Sequence, residues 1–308
     1  MRLIDALEDF YLSMEGVFSP KTIKWYHHKL KPLVWSLGDC HIEEITIQML
    51  RIWRADLSNR DQTYVDHPTR PAKEGGMSRH TLHGHVRACR RLFKWLEEEE
   101  YLDHNPAKRL ELPPKPKGGR KGIKEKDRDL IIHEAQKNPR DYAVVLFLAD
   151  TACRVAGVAG LKINRLELEN YRAEVHEKGR GGNNKARTVY FGETTKLALE
   201  RWLEVRPKDT DCPFVFVNSN NRGGIHGLSE NGIYQILKRL AKVAGVKEGY
   251  NPHNWRHGAA RGMIKRGASL SEVSQLLGHT SVSVTGDFYG IFSEEELHES
   301  HRTYAWIK

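Results

Sequence analysis

Through the first third of the chain, apolar residues recur at the three-to-four spacing of a helix face. Ser19-Pro20 reads as a helix start, with a capping hydroxyl and a proline in the first turn, ahead of the run KTIKWYHHKLKPLVWSL. Ser78 opens another helix in which Leu82, Val86, Cys89, Phe93 and Leu96 share one face, while Arg79, His83, Arg87, Arg90 and Arg91 line the opposite one. The polar stretch between them, Asn59 to Met77, holds two prolines and two glycines and reads as an exposed loop. The pattern predicts a compact bundle of about four helices with one basic face.

At Leu112 the apolar rhythm stops. LPPKPKGGRKGIKEKDR has almost no apolar content and reads as a linker. Beyond it, Ile123 to Gln136 and Tyr142 to Asp150 read as helices. Tyr142 to Ala149 is the longest apolar run, eight residues between two aspartates, and a membrane span needs about 20, so this is a core helix. Ala173 to His176 and Thr188 to Phe191 have strand character and flank the Gly-rich KGRGGNNKAR, a hairpin pattern. Phe214 to Val217 is a further short candidate strand. From Leu228 the pattern is helical to the end, interrupted at Gly267 and Gly278. The fold expected is mainly α with a small antiparallel β-sheet (α+β) and not doubly wound: a helical unit over 1–111, a basic linker over 112–123, and a second unit over 124–308 closing with a tail helix.

Composition sharpens this picture. The 308 residues are 39% hydrophobic and 29% charged, enough to bury a core in each of two units. Lys and Arg number 49 against 40 acids, a net charge of +9, which favours a polyanionic partner, most commonly nucleic acid. From Lys108 to Arg128 there are nine basic and three acidic residues, so two-thirds of the excess lies in and beside the linker. We read that segment as a strap along phosphates, with Lys115, Lys117, Arg120 and Lys121 as its contacts, joined by Arg79, Arg87 and Arg90 from the basic helix face. The start, MRLIDALEDF, places acids where a signal peptide is apolar, and Cys40, Cys89, Cys153 and Cys212 are scattered without a CxxC pair. These features point to reduced thiols in a cytoplasmic, nucleoid-associated protein with no membrane partner.

His253 and His257, four apart, raise a metal site, as do His80, His83, His85 and Cys89. HNWRH lacks the Glu of a zinc-protease helix and sets Arg256 beside the metal, and the other cluster is strongly basic, so both are disfavoured. KGRGGNNKAR lacks a Walker ending, and nothing argues for a nucleotide cofactor. What remains is a set suited to a phosphodiester: Arg154, Lys178, His253, Arg256, His279 and Tyr289. Paired Arg forks hold non-bridging oxygens, and a Lys can protonate a leaving oxygen. A Tyr of pKa about 10 needs electrostatic help to attack. Singly, each also reads as an ordinary surface or packing residue.

HNWRHGAARGMIKRGASLSEVSQLLGHTSVSVTGDFY resembles the signature region of the tyrosine recombinase (phage integrase) family. His253, Arg256 and His257 match His-x-x-Arg-His; Leu277, Gly278 and His279 match Leu-Gly-His; Tyr289 follows at suitable spacing. DTACRVAGVAGL resembles the family's first Arg box, Lys178 falls where the family keeps a catalytic Lys with Lys185 as the alternative, and the first unit looks like the core-binding domain. Two departures stand out: Ala152 replaces the usual Gly, and Gly157 stands where an acidic residue commonly follows the Arg by three, which unsettles how Arg154 is oriented. Trp255 for a usual Leu is a packing change.

The resemblance implies a C-shaped clamp on double-stranded DNA with paired inverted half-sites. It also implies cleavage through a 3′-phosphotyrosyl bond to Tyr289, Arg154 and Arg256 on the non-bridging oxygens, and Lys178 protonating the leaving 5′-oxygen. His253 would assist proton transfer, His279 would bind the scissile phosphate, and His257 would support the site. No ATP, metal or other cofactor is implied. A homo-tetramer would exchange strands through a Holliday junction, with a directionality or DNA-bending accessory protein as a further partner. The helical unit begins almost at Met1, as in the minimal two-domain members. A type IB topoisomerase and a catalytically inactive DNA-binding accessory protein remain the alternatives.

Overall fold

The computed structural model describes the chain except residues 64–70, 115–121, 179–183, 209–210, 219–223, 280, 290–293, 295–297, 299–300 and 304–308; of residues 63, 73, 178, 184, 284 and 287–289 it describes the backbone alone. It divides into two compact units, Met1–Lys117 and Gly118–Lys308.

The first unit is built on α1 (Leu3–Leu12), α2 (Pro20–Leu37), α3 (Ile47–Ser58) and α4 (Arg79–Glu98). Ser19 and Ser78 start α2 and α4 as their sequences predict, each hydroxyl accepting a backbone N–H three residues on. The apolar face of α4 is buried from Leu82 to Leu96 against Phe10, Leu33 and Trp53. Its other face carries Arg79 and Arg87 in solvent and Arg90 half-buried, with Arg87 lying over the Trp25 ring. The segment read as an open loop instead carries a short antiparallel ladder, β1 (Gln62–Thr63) with β2 (Lys73–Glu74). Its two glycines lie just past β2, leaving Lys73 and Glu74 free to pair.

One buried polar pair in this unit has a consequence for stability. His85, 3% exposed, gives its Nδ1 to the Lys29 carbonyl at 2.8 Å, leaving Nε2 to face the Lys29 ammonium at 3.4 Å. Burial and then the Lys29 charge push the imidazole down to about 4. The folded pKa lies below the unfolded value of about 6.5, so the unfolded chain binds the extra proton. This contribution is complete above pH 6.5 and is lost as pH falls toward 4, up to about 3 kcal/mol. Urea midpoints at pH 7.5 and 4.5 should therefore differ more for the wild type than for His85→Gln.

The second unit opens with α5 (Glu125–Ala135) and α6 (Pro139–Thr151), followed by the short α7 (Val155–Ala159). Ile123, at the end of the stretch read as linker, is buried in this unit's core and donates its N–H to the Asn254 carbonyl. The sheet has three antiparallel strands in order β3 (Leu166–Glu167), β4 (Arg172–Lys178) and β5 (Asn184–Tyr190), with Arg172 opposite Tyr190 and Lys178 opposite Asn184. Phe214–Val217 forms no strand; Phe214 and Val217 make only isolated bridges to Lys162 and Gly227. Helices α8 (Glu193–Val205), α9 (Glu230–Val243), α10 (Pro252–Lys265), α11 (Leu270–Leu277) and α12 (Val282–Tyr289) complete the unit.

Asp150 fixes α6 to the start of α8, its Oδ2 accepting from the Gly192 N–H and the Thr195 hydroxyl, both at 2.7 Å. Buried Asp141 pairs with Arg140 and Arg239 and so ties α6 to α9. The four cysteines are free thiols, Cys89 and Cys153 fully buried, Cys40 and Cys212 half-buried. Trp255 packs in the core and donates to the Tyr250 carbonyl. The tail read as a helix lies outside the described residues, apart from Glu294, His298 and 301–303. No helix among the described residues is long and apolar enough to cross a membrane.

Candidate active site

Two turns at helix ends and one strand hairpin carry the candidate site. The first follows α6. Ala152 ends that helix in the left-handed region at φ 49°, which explains the Gly usual at this place and holds strain of about 1 kcal/mol for an L side chain. This turn directs Arg154 to the start of α7. Its side chain is 35% exposed, and it grips Glu177 twice: the backbone N–H to Oε1 at 2.5 Å and Nη1 to Oε2 at 2.6 Å.

Glu177 sits one residue before the end of β4 and is 3% exposed. Ala173, Val175 and Glu177 alternate on the buried face of the strand. Burial pushes the carboxyl up, but Arg187, the Arg154 amide, Arg256 and the Arg154 guanidinium outweigh it, and the group titrates below the usual Glu range. Arg187, on β5, donates Nη2 to Glu177 Oε1 at 3.1 Å and Nη1 to the Leu276 carbonyl at 2.5 Å.

The second loop explains Leu-Gly-His. Gly278 closes α11 at φ 67°, its N–H bonding the Gln275 carbonyl while the His279 N–H bonds Ser274. A Cβ on Gly278 would lie 2.5 Å from Arg187 Cδ, so both conformation and space demand glycine. His279 is half-buried, with Nδ1 2.8 Å from the hydroxyl of Thr285, itself 0% exposed on α12. Burial, then Arg256, Arg154 and Arg187, push His279 down to about 4, so its imidazole is neutral near pH 7.

Arg256, 5% exposed on α10, joins the first two loops. Its Nη1 donates to the Ala152 carbonyl at 2.7 Å and its Nη2 to the Leu277 carbonyl at 2.5 Å. Beneath it Ala152, Ala260, Val273 and Leu277 form a small apolar cluster. Three residues earlier on the same helix, His253 is exposed, whereas His257 is buried.

The structure thus brings Arg154, Arg256 and His279 around one buried carboxylate. The third loop is the hairpin, where Lys178 ends β4 immediately after Glu177 and Lys185 is exposed across from Glu177. Tyr289 is the last residue of α12, the helix that carries Thr285. Lys115, Lys117, Arg120 and Lys121 lie outside the described residues. The motifs of the sequence did not point to Glu177, Arg187 or Thr285. A carboxylate in register with Ala173 and Val175, opposite a strand carrying Arg187, was the available signal for the first two. Among the described residues no group of three or more His, Cys, Asp or Glu side chains is placed to hold a metal ion.

The sequence model of the phage integrase family matches residues 121–294, more than half of the chain. The chain belongs to the phage integrase family. It is thereby one of the tyrosine site-specific recombinases. Relatives include a protein named tyrosine recombinase XerC from Oceanobacillus iheyensis, 29% identical over 94% of this chain and 92% of its own length. A tyrosine recombinase XerD from Listeria monocytogenes is 27% identical over 91% and 92%. Among solved structures, the fold is shared with the Tn1549 transposon integrase in complex with a circular intermediate DNA, at a TM-score of 0.74 and 14% identity over 99% of this chain and 100% of that one. It is shared also with a lambda integrase tetramer bound to a Holliday junction, at 0.71 and 18% over 96% and 80%.

Proposed function

We propose that this integrase-family enzyme cleaves double-stranded DNA at paired inverted half-sites, with Tyr289 as nucleophile. The observation that carries this reading is the convergence of Arg154, Arg256 and neutral His279 on one place, each held by a buried protein partner. Such an arrangement suits the charge that develops on the non-bridging oxygens of a phosphodiester under attack, and fixed donors need little reorganisation. Tyr289 Oη bonds to phosphorus as its proton passes toward His253, the bond from phosphorus to the 5′-oxygen breaks, and Lys178 protonates that oxygen. The 3′-phosphotyrosyl bond retains the energy of the phosphodiester, and attack by a 5′-hydroxyl of the partner DNA reverses the step. Four copies would exchange two strand pairs in turn through a Holliday junction. Arg79, Arg87 and Arg90, with the basic 112–123 segment, would hold phosphates outside the site, and a cytoplasmic, nucleoid location follows from that substrate. An accessory DNA-bending or directionality protein is a further proposed partner.

Within this mechanism Thr285 fixes the tautomer of His279. When the Thr285 hydroxyl donates to Nδ1, the ring proton stays on Nε2, where it can donate to the phosphate. Thr285→Val keeps the volume and removes the donor. It is expected to slow cleavage about tenfold, roughly the worth of one hydrogen bond, with Thr285→Ser close to wild type.

The test is covalent capture. Purified protein is incubated with fragmented genomic DNA, denatured, and the attached DNA is sequenced. Adducts at one short, roughly palindromic site are expected. Adducts scattered over all DNA would favour topoisomerase chemistry, and tight binding without adducts would leave a DNA-binding protein without catalysis.

A further inference from the structure

The departure at Gly157 and the presence of Glu177 are one feature seen from two sides. Gly157 lies on α7 three residues after Arg154, the place where the resemblance leads one to expect an acid. A Cβ there would lie 3.2 Å from Val175 Cβ, 3.3 Å from Glu177 Oε1 and 3.4 Å from Glu177 Cγ. The space is therefore already occupied, and what occupies it is a carboxylate. That carboxylate accepts from the Arg154 N–H, from Arg154 Nη1 and from Arg187 Nη2, three donors on two oxygens. Through Arg187, whose Nη1 holds the Leu276 carbonyl and whose Cδ packs on Gly278, it also reaches the turn that presents His279.

We propose that Glu177 is the positioning residue for Arg154 and that Glu177 and Gly157 form a coupled pair, the acidic group being delivered from strand β4 instead of helix α7. Glu177 does not touch DNA; it acts by holding the Arg154 guanidinium in one plane and at one height. A side chain at 157 would need Val175 or Glu177 to give way by a few tenths of an ångström, and an acidic one would press a second carboxylate on the first. This rests on Arg154 engaging the scissile phosphate, as proposed above.

The experiment is a double-mutant cycle. Glu177→Gln keeps the shape and an acceptor for the Arg154 N–H but removes the charge. Gly157→Glu places a second carboxylate against the first, Glu177→Gly removes the acid altogether, and the two combined move the acid from strand to helix. Single-turnover cleavage of a nicked duplex that traps the adduct is measured against DNA concentration. Glu177→Gln is expected to lower the rate at saturation about ten- to a hundredfold while the half-saturating DNA concentration stays within about twofold. Gly157→Glu alone should lose at least as much, and the combined variant should recover to within about tenfold of wild type. A rescue of this kind separates positioning from mere support of the fold.

The same cycle read by thermal unfolding needs no DNA, and there too the combined variant should melt above Gly157→Glu alone. Wild-type cleavage by Glu177→Gln, or losses that multiply in the combined variant in both readouts, would overturn the proposal. Absence of any adduct with wild-type protein would instead count against the cleavage mechanism, and the melting cycle would still decide whether the two positions are coupled. If Glu177→Gln does not fold, recovery of fold and rate in the combined variant decides the matter.

Discussion

Tyr289→Phe is expected to abolish the covalent protein–DNA adduct and leave DNA binding at wild-type strength. The substitution deletes one oxygen and keeps the ring, so α12 and its buried Thr285 should hold their places. A Tyr hydroxyl with a pKa near 10 is a weak nucleophile at neutral pH, and it attacks a phosphodiester only where cations have already lowered the barrier. In the proposed mechanism Arg154 and Arg256 provide that field, but neither can replace the attacking oxygen. The adduct rate should fall at least about 10⁴-fold, as when a nucleophile is removed from an organised site. A nicked duplex, denaturing gels for the adduct and a gel shift for binding measure both quantities. An adduct that persists at the wild-type rate would move the nucleophile to another side chain.

Much of this architecture was legible because its causes are local. Ser19 and Ser78 cap helices with their own hydroxyls, and the face from Leu82 to Leu96 is buried because a helix repeats every 3.6 residues. The strands of the hairpin were found where β-branched and aromatic residues flank glycines, although the structure extends them to Arg172–Lys178 and Asn184–Tyr190. Backbone pairing lengthens a strand into polar sequence that carries no alternation signal. The expected strand at Phe214–Val217 fails for the opposite reason, since the apolar run is buried but its backbone finds only isolated bridges. At the site, Arg154, Arg256 and His279 could be named from spacing, whereas Glu177 could not. Its role depends on β4 passing beside α7, a tertiary fact, and Gly157 read alone suggested a missing carboxylate. In the structure Arg154 does meet a carboxylate, that of Glu177, 23 residues along the chain, and the proposed relocation accounts for the acid that Gly157 lacks.

The second large effect concerns Arg256, where Arg256→Lys is expected to slow cleavage by about 10²- to 10³-fold and to weaken the fold by roughly 1–3 kcal/mol. The charge survives in lysine; the fork does not. Arg256 sends Nη1 to the Ala152 carbonyl and Nη2 to the Leu277 carbonyl, and these two carbonyls lie two residues before Arg154 and two before His279. One planar group therefore sets the distance between the two loops that carry Arg154 and His279, the other side chains proposed to bind the phosphate. A single ammonium cannot span both acceptors in that geometry, and whichever carbonyl it leaves is buried beside Ala260 and Val273 with its desolvation uncompensated. The loss should appear in the rate at saturating DNA more than in the half-saturating concentration, because the loops drift relative to each other while the outer basic residues are untouched. Urea unfolding alongside single-turnover cleavage separates the two effects. A variant with wild-type cleavage and a lowered unfolding midpoint would reduce Arg256 to a structural brace, and a variant that cleaves slowly without losing stability would place its whole contribution at the phosphate.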